Sequence, residues 1–194
     1  MLRITGGEHR GRRLKVPDVA STRPLVERAR QALMDHLRDL IPGATVWDVY
    51  AGSGILGFEA LSRGAALVVA VERHPRAAAR LRESAAELGM AERLDLRRID
   101  ARRFLRDAAP EPALVFFDPP YAAFRGAGRA EVWELFCALA ARLGKRGCAV
   151  VHTPKGILTL AERERLPGLE RRDYGSTSLY WWHEDRAAGA GDGE

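Results

Sequence analysis

An acidic residue, two prolines and a tyrosine stand directly after a short apolar run near the middle of the chain. Residues 113–117 read Ala-Leu-Val-Phe-Phe, and Asp118, Pro119, Pro120 and Tyr121 follow. The run predicts a strand of a parallel sheet covered on both faces, which ends at the prolines because they cannot donate to a strand ladder. Open α/β sheets bind ligands at the carboxyl ends of their strands. A carboxylate and a ring at that position favour chemistry on the amino group of a planar base. A proline turn capped by aspartate is the alternative if the motif is taken alone.

A glycine-rich turn follows an earlier apolar segment that contains Asp48. Gly52, Gly54 and Gly57 have the spacing of the dinucleotide-binding fingerprint, and Glu72 lies 20 residues beyond Gly52, where a ribose-binding acid is expected. Such a turn between a strand and a helix lets a ligand approach the backbone closely. By itself this pattern is a weak signal.

Asp48 distinguishes between two classes of cofactor for this turn. A dinucleotide would bring its pyrophosphate here, and a carboxylate within about 4–6 Å would repel it. S-adenosylmethionine carries an ammonium and a sulfonium group and no phosphate, so an acidic residue would attract it. The residue type therefore favours S-adenosylmethionine, although Asp48 would also fit as a cap of the loop.

Four successive predicted strands end in acidic residues: Asp48, Glu72, Asp100 and Asp118. A carboxylate has two acceptor oxygens, so Glu72 could accept both hydroxyls of a ribose. Asp100 could accept the amino group of adenine while the backbone N–H of Ala101 donates to a ring nitrogen. Four acids at four strand ends indicate one cation-binding edge. The predicted cofactor-binding residues are Asp48, Ala51, Gly52, Gly54, Glu72, Asp100 and Ala101.

An alternation of strands and helices would position these side chains. Strands are predicted near 45–50, 67–72, 94–99, 113–118 and 147–152, and helices near 54–63, 75–89, 101–108, 129–144 and 157–165. This alternation predicts a parallel sheet with helices on both faces. Residues 168–174 and 177–183 instead predict a hairpin, with an antiparallel strand. The expected fold is α/β, a doubly wound, seven-stranded, mostly parallel sheet of the Rossmann-like type. The adjacent residues Trp181 and Trp182 are expected to point one into the core and one outside.

The excess positive charge lies at the N-terminal end. Residues 1–30 hold eight Lys and Arg residues against three acidic ones, an excess that equals the formal net charge of +5 for the whole chain. Residues 2–5 and 12–16 predict a short hairpin, and Ser21, Thr22 and Pro24 predict the start of a helix whose apolar stripe continues to residue 40. A basic element on a neutral domain indicates a polyanionic partner.

Other classes of protein fit the composition poorly. No apolar run is long enough to cross a membrane, and the first four residues lack the apolar core of a signal peptide. Cys137 and Cys148 match neither a metal-ligand spacing nor a disulfide framework. These features predict a cytoplasmic protein. His74 and His152 are expected to be structural.

The chain resembles class I S-adenosylmethionine-dependent methyltransferases and, more narrowly, the bacterial RsmD family. That family methylates the exocyclic N2 amine of a guanine in small-subunit (16S) ribosomal RNA. The resemblance runs from residue 2 to about 183, and its N-terminal part is the more specific. The chain departs from the family pattern at Leu25, Ala29, Met34 and Asp35, where Thr, Val, Phe and Asn are usual. The matching residues are 3–7, 11–14, 22–24, Arg28, Arg30, 32–33, 48–57, 59–64 and 118–121.

The resemblance implies a direct methyl transfer that uses S-adenosylmethionine and no metal. Asp118 and the Pro119 carbonyl would accept the two N–H bonds of the guanine amine, and Tyr121 would stack on the base. The implied catalytic residues are Asp118, Pro119, Pro120 and Tyr121, and those expected to bind RNA are Arg10, Arg12, Arg13, Lys15, Arg23 and Arg28. The expected partner is 16S ribosomal RNA, free or within a small-subunit assembly particle, bound by a monomer without membrane association. The expected division is an RNA-contacting extension (1–42), a methyltransferase domain (43–185) and a disordered tail (186–194).

Three alternatives remain open from the sequence. A DNA amino-methyltransferase would share the whole pocket, but 194 residues contain no obvious DNA-reading domain. A nicotinamide-dependent dehydrogenase would share the glycines and Glu72 but should lack Asp48 and the two prolines. A non-catalytic RNA-binding module would explain the basic end of the chain but would leave the aligned acids without a role.

Overall fold

A computed structural model describes residues 2–15, 25–107, 109–126 and 128–185. Within these ranges the chain begins with a short hairpin and one helix, and then alternates strands and helices as predicted. The strands are β1 Leu2–Arg3, β2 Arg13–Leu14, β3 Thr45–Val49, β4 Leu67–Val71, β5 Leu94–Arg97, β6 Leu114–Phe117, β7 Cys148–Pro154, β8 Glu170–Tyr174 and β9 Thr177–His183. The helices are α1 Glu27–His36, α2 Ile55–Ser62, α3 Pro75–Glu87, α4 Ala101–Phe104, α5 Gly128–Ala140 and α6 Leu160–Glu164, with 3-10 turns at Ala91–Arg93 and Tyr121–Phe124.

Seven of the strands form one sheet in the order β5-β4-β3-β6-β7-β9-β8. The first five pair in parallel, whereas β9 runs antiparallel to both β7 and β8. The predicted Rossmann-like sheet with an antiparallel C-terminal strand is therefore confirmed. In the register, Val49 of β3 lies beside Val71 of β4 and Phe117 of β6, so the carboxyl ends of these strands meet at one edge.

Apolar cores cover both faces of this sheet. Alternate residues of β6 point to opposite faces: Phe116 packs in the core formed with α1, α2 and α3, and Phe117 packs in the core formed with α4 and α5. Trp181 packs in the same core as Phe116 and Trp182 in the same core as Phe117, and the two residues are only 2% and 8% exposed. The expectation that one of these rings lies outside is wrong, because helices cover both faces.

Several helix ends differ from the predicted ones. Helix α1 begins at Glu27, after Val26 at the N-cap position, and Val26 offers no side-chain cap. The predicted capping residues 21–24 lie outside the described residues, as does the predicted tail, 186–194. Helix α6 begins later than predicted because Thr159 and Glu162 form a capping box at its N-terminus. Among the helices of the described ranges, none combines the length and hydropathy needed to cross a membrane.

The N-terminal segment packs into the same core as the sheet. Leu2 pairs with Leu14 in the β1–β2 hairpin, and Ile4 and Leu14 are buried in the core that contains α2 and α3. The backbone N–H of Glu8 donates to the carbonyl of Ser62 at the end of α2 (N to O, 2.8 Å). Removing this segment would therefore expose core surface.

A buried carboxylate on α2 fastens the N-terminal segment in place. Glu59 is fully buried, and its Oε1 accepts from the Thr5 backbone N–H (2.8 Å), the Thr5 hydroxyl (2.9 Å) and Arg30 Nε (3.0 Å). Arg63 pairs with the second oxygen, Oε2. Arg30 is only 1% exposed and also donates to the Arg3 carbonyl (NH2 to O, 2.6 Å). Arg30 therefore acts as a structural residue.

The substitution Glu59→Gln tests this anchor. Removing one partner of a buried ion pair leaves an uncompensated charge, so we expect a loss of about 3–5 kcal/mol in the free energy of unfolding. Urea denaturation followed by circular dichroism measures it. The matched control is Glu87→Gln, which breaks the exposed pair with Lys15 (3.1 Å) and should cost less than about 1 kcal/mol. Equal small losses in the two variants would contradict the anchoring role of Glu59.

Candidate active site

The acidic residues that the sequence places at strand ends lie along one edge of the sheet. Asp48 is the penultimate residue of β3, Glu72 follows β4 directly, and Asp118 follows β6 directly. Asp100 stands three residues beyond β5 and is the N-cap of α4. Because these strands run parallel in neighbouring positions, their ends form a continuous acidic edge.

Asp48 is buried at the centre of this edge. Its side chain is 2% exposed, and its Oδ2 accepts the backbone N–H of Gly57, the third residue of α2 (3.0 Å). A Cβ at Gly57 would lie 3.0 Å from that same oxygen and 2.9 Å from Val68 Cγ1, so glycine permits the close approach. Burial raises the pKa of Asp48 to about 8. The Gly57 N–H opposes the rise, and the charges of Asp118 and Glu72 add to it.

Glu72 holds the glycine turn in shape. Its Oε2 accepts the Gly52 N–H (2.9 Å) and its Oε1 accepts the His74 N–H (2.7 Å), while the Ala51 N–H donates to the end of β4 (3.0 Å). Gly54 is the N-cap of α2 with a φ of 74°, and a Cβ there would overlap a leucine side chain of α3. Each carboxylate oxygen of Glu72 keeps a second acceptor position for a ligand.

Asp100 is held by two arginines. Its Oδ1 accepts from the backbone N–H of Arg102 and from Arg102 Nε (both 3.0 Å), and its Oδ2 faces the NH2 of Arg102 (3.2 Å) and the NH1 of Arg73 (3.4 Å). The hydrogen bonds from the Arg102 side chain lower the pKa of Asp100 to about 2, against a smaller opposing effect of burial. Ala101, the first residue of α4, is buried.

A pocket of about 190 Å³ opens between Asp100 and the Asp118–Tyr121 turn. Asp100, Arg102, Tyr50 and Pro120 are among the residues that line it. Tyr50 adopts a φ of 66°, which is uncommon outside glycine, and its ring packs edge-on against Phe117 (5.4 Å between centroids). The sequence analysis did not identify Tyr50 or Arg102, since no spacing or motif marks them.

A histidine from the next strand joins the two side chains of the Asp-Pro-Pro-Tyr turn. His152 on β7 places its Nδ1 2.7 Å from Asp118 Oδ1 and its Nε2 3.2 Å from the Tyr121 hydroxyl oxygen. The Tyr121 hydroxyl also donates to the Thr177 hydroxyl on β9 (2.9 Å). His152 was expected to be structural. No motif in the sequence links it to Asp118, which lies 34 residues earlier.

A larger pocket, of about 540 Å³, lies on this second side of the turn. Tyr121, His152 and Thr177 form one part of its lining, and the turn between β8 and β9 forms another. Val26 and Arg28, at the start of α1, complete it. The turn thus separates two pockets, with Pro120 lining the smaller and Tyr121 lining the larger.

The predicted RNA-binding residues that the structure describes lie in the hairpin and at the start of α1, and of these Arg28 lines the pocket with Tyr121. Arg12 donates to the Glu87 carbonyl on α3 (NH2 to O, 3.2 Å), and Lys15 pairs with the Glu87 carboxylate. Arg10 lines a small polar pocket beside Arg3 and Glu27, and Arg13 is exposed on β2. Arg23 lies outside the described residues.

Comparison with known proteins gives consistent results over most of the chain. A family model described as Conserved hypothetical protein 95 matches residues 2–183. Ribosomal RNA small subunit methyltransferase D of Escherichia coli strain K12 is 38% identical over 120 residues, which cover 62% of this chain and 60% of that protein. The protein of the same name from Haemophilus influenzae is 34% identical over 123 residues, which cover 62% of this chain and 64% of that protein.

The matched region thus spans less than two thirds of the length of these two curated relatives. A solved structure extends the comparison. A hypothetical protein from Thermus thermophilus is 34% identical with a TM-score of 0.77, and the similarity covers 94% of this chain and 99% of that chain. The similarity in structure therefore includes the sheet and both of its covered faces.

The raised pKa of Asp48 predicts how stability depends on pH. Between about pH 4 and pH 8 the folded protein keeps a proton on Asp48 that the unfolded chain has released, so stability falls as the pH rises, by up to about 1.4 kcal/mol per pH unit. We expect Asp48→Asn to remove this decline. Urea denaturation at pH 5, 6.5 and 8 measures it, with exposed Asp39→Asn as the control. The same pH slope in wild type and Asp48→Asn would contradict the assignment.

Proposed function

The chain belongs to the family described as Conserved hypothetical protein 95, the RsmD family predicted from the sequence, and we propose that it methylates ribosomal RNA. In this proposal it transfers a methyl group from S-adenosylmethionine to the exocyclic N2 amine of a guanine in small-subunit (16S) ribosomal RNA. The observation that carries the proposal is the position of the Asp-Pro-Pro-Tyr turn. It lies between a pocket at the acidic edge and a second pocket that is open to a base.

The acidic edge fits a cationic methyl donor. The charges of Asp118 and Glu72 help to raise the pKa of Asp48, so a positive group beside these residues would relieve their repulsion. The pyrophosphate of a nicotinamide dinucleotide would add to that repulsion instead. When bound, S-adenosylmethionine supplies an electrophilic methyl group.

We assign each contact to the donor from the chemistry of the residue nearby. An ammonium group bound beside Asp48 would favour the ionised form of this carboxyl and so lower its raised pKa, and Glu72 would accept from the ribose hydroxyls with its remaining lone pairs. Asp100 and the N–H of Ala101 recognise adenine in the pocket lined by Pro120. Ala51, Gly52 and Gly54 keep the turn close enough for the backbone to contact the donor. These roles complete the predicted set of cofactor-binding residues.

The turn itself is suited to hold an amine. Pro119 and Pro120 have no N–H, so this part of the turn offers only acceptors, the Asp118 carboxylate and the Pro119 carbonyl. These groups accept the two N–H bonds of the guanine amine and direct its lone pair away from the ring. Tyr121 stacks on the base, a contact of about 1–3 kcal/mol. Alignment of the two reactants can lower the barrier by roughly 7–11 kcal/mol.

The basic N-terminal surface supplies the contacts to RNA. The relatives from Escherichia coli and Haemophilus influenzae are named as ribosomal RNA methyltransferases, which supports the substrate class. Arg28 is positioned to hold phosphate at the entrance of the pocket, and Arg10, Arg12, Arg13 and Lys15 extend the basic surface. The target base must leave its stack to reach Tyr121. The protein acts in the cytoplasm as a monomer, on 16S ribosomal RNA that is free or in an assembling small subunit.

Transfer of a tritiated methyl group tests this function. Ribosomal RNA from a strain that lacks this protein should incorporate label from S-adenosylmethionine, and mapping should place the methyl group on N2 of one guanine. Small-subunit particles from the same strain serve as a second substrate. Label in DNA but not in ribosomal RNA would indicate a DNA amino-methyltransferase, and the absence of label in either would remove the proposal.

The substitution Asp118→Ala separates catalysis from donor binding. It removes one acceptor for the amine, and loss of one such polar group typically lowers turnover by about 100- to 1,000-fold. The affinity for S-adenosylmethionine, measured by equilibrium dialysis, should stay within a few-fold of wild type. Asp39→Ala, on an exposed loop, is the control and should leave both values unchanged. Full turnover in Asp118→Ala would show that this carboxylate is not used.

Charge substitutions test the RNA surface better than truncation does, because the N-terminal segment contributes Ile4 and Leu14 to the core. We expect Arg13→Gln combined with Lys15→Gln to weaken RNA binding and to reduce the slope of log affinity against log salt by about 1 for each phosphate that is no longer bound. Donor affinity and the urea midpoint should not change.

A control pair of the same charge is Lys145→Gln with Arg163→Gln, both exposed and outside residues 1–42. RNA titrations at several salt concentrations compare the two pairs. An unchanged slope in the N-terminal pair, or the same reduction in the control pair, would contradict a specific role for the basic hairpin.

A further inference from the structure

His152 is a buried titratable side chain for which the reaction above has no use. It is 4% exposed and lies on β7, beside the strand that ends at Asp118. Its ring nitrogens contact Asp118 Oδ1 (2.7 Å) and the Tyr121 hydroxyl (3.2 Å), and the His152 and Tyr121 ring centroids are 5.5 Å apart at 60°. One imidazole thus contacts both Asp118, which is proposed to accept from the amine, and Tyr121, which is proposed to stack on the base.

Asp118, His152, Tyr121 and Thr177 form a cluster of hydrogen-bonded side chains. The direction of each hydrogen bond in this cluster follows from the backbone carbonyl that Thr177 contacts. The Thr153 carbonyl can only accept, so the Thr177 hydroxyl donates to it (2.8 Å). The single proton of Thr177 is then used, and the Tyr121 hydroxyl must donate to Thr177 (2.9 Å). The proton of Tyr121 is used in turn, so His152 Nε2 must carry a proton and donate to the phenol oxygen. A further proton lies between His152 Nδ1 and Asp118.

The turn depends on this cluster because the backbone N–H groups of residues 118–120 provide a single hydrogen-bond donor. The Asp118 N–H donates to the Val49 carbonyl (3.2 Å), and the next two residues, Pro119 and Pro120, have no N–H. The contacts of Asp118 and Tyr121 with His152 therefore attach the turn to β7. The hydrogen bond from Tyr121 to Thr177 attaches it to β9. With Oδ1 of Asp118 held by the imidazole, Oδ2 is the oxygen left for an amine.

We propose that His152 is a positioning residue for the target base. It fixes the Asp118 carboxylate and the Tyr121 ring in one relative orientation, so that the amine and the face of the same purine are held together. The proposal rests on the proposed function, because it assigns His152 to the substrate side of that site. His152 lines part of the larger pocket, but its two ring nitrogens are used by Asp118 and Tyr121, so its effect passes through these two side chains.

Kinetics of His152 variants test the proposal. We expect His152→Ala to lower kcat by about 100-fold, the reduction expected when reacting groups are displaced by about 1 Å. Affinity for S-adenosylmethionine should stay within about threefold, since the donor site lies on the other side of the turn. The amide of Asn reaches the Nδ1 position, so His152→Asn can still donate to Asp118 and should recover part of kcat. His36→Ala, a histidine on α1 outside both pockets, is the matched control and should behave as wild type.

Tyr121→Phe provides a second variant that keeps the ring and the fold. It removes the phenol oxygen to which His152 Nε2 donates, so we expect a reduced kcat in a variant that is still folded by circular dichroism. Wild-type kcat in both Tyr121→Phe and His152→Asn, together with wild-type kcat in His152→Ala, would overturn the proposal. Loss of donor binding in His152→Ala in parallel with kcat would also overturn it, because that result indicates a general structural role.

Nitrogen-15 NMR of histidine-labelled protein shows which ring nitrogens of His152 carry a proton, and the measurement does not require catalysis. The His152 signals are identified by their absence in His152→Asn. We expect Nε2 to be protonated in the free protein, and an unprotonated Nε2 would overturn the hydrogen-bond assignment. If wild type methylates no RNA while the NMR result holds, the proposed function fails and the geometry of the cluster stands. If wild type is active while every His152 variant matches it, the positioning role alone fails.

Discussion

Several carboxyl groups share one edge of the sheet in this protein, and much of the local structure reduces the cost of that arrangement. Burial together with the charges of Asp118 and Glu72 raises the pKa of Asp48 to about 8. Each acid at the edge has its own hydrogen-bond donors from a different element. Asp48 accepts from Gly57, Glu72 from Gly52 and His74, Asp100 from Arg102, and Asp118 contacts His152. These donors hold the carboxylates in place, and each carboxylate has more acceptor positions than these donors use. An edge built in this way favours a cation over a phosphate.

Helix α2 connects this edge to the N-terminal segment. In the first turn of α2, the Gly57 N–H donates to Asp48. Two residues later, the Glu59 carboxylate accepts from the Thr5 N–H and from Arg30. The same short helix therefore contacts the acidic edge and anchors the segment that carries the basic residues. Leu25 and Val26, just before α1, line the larger pocket, and Arg30 of α1 donates to Glu59, so α2 also holds the helix at the border of that pocket.

The sequence was sufficient for the sheet and for its acidic edge. Strand periodicity and the alternation of elements predicted the topology, and the acids were predicted because each one lies at or near the carboxyl end of a predicted strand. The start of α1 and the burial of Trp182 were not predicted, since they depend on packing against distant parts of the chain. His152 and Arg102 were missed for related reasons. His152 meets Asp118 only when β7 pairs with β6, and Arg102 holds Asp100 through side-chain geometry that no spacing encodes.

A crystal structure of the protein with S-adenosylmethionine tests the central claim most directly. We expect the ammonium and sulfonium groups beside Asp48, the ribose at Glu72 and the adenine ring in the pocket between Asp100 and Pro120. A donor bound away from this edge would contradict it. So would a nicotinamide dinucleotide bound more tightly than the methyl donor, with its pyrophosphate at the Gly52 turn.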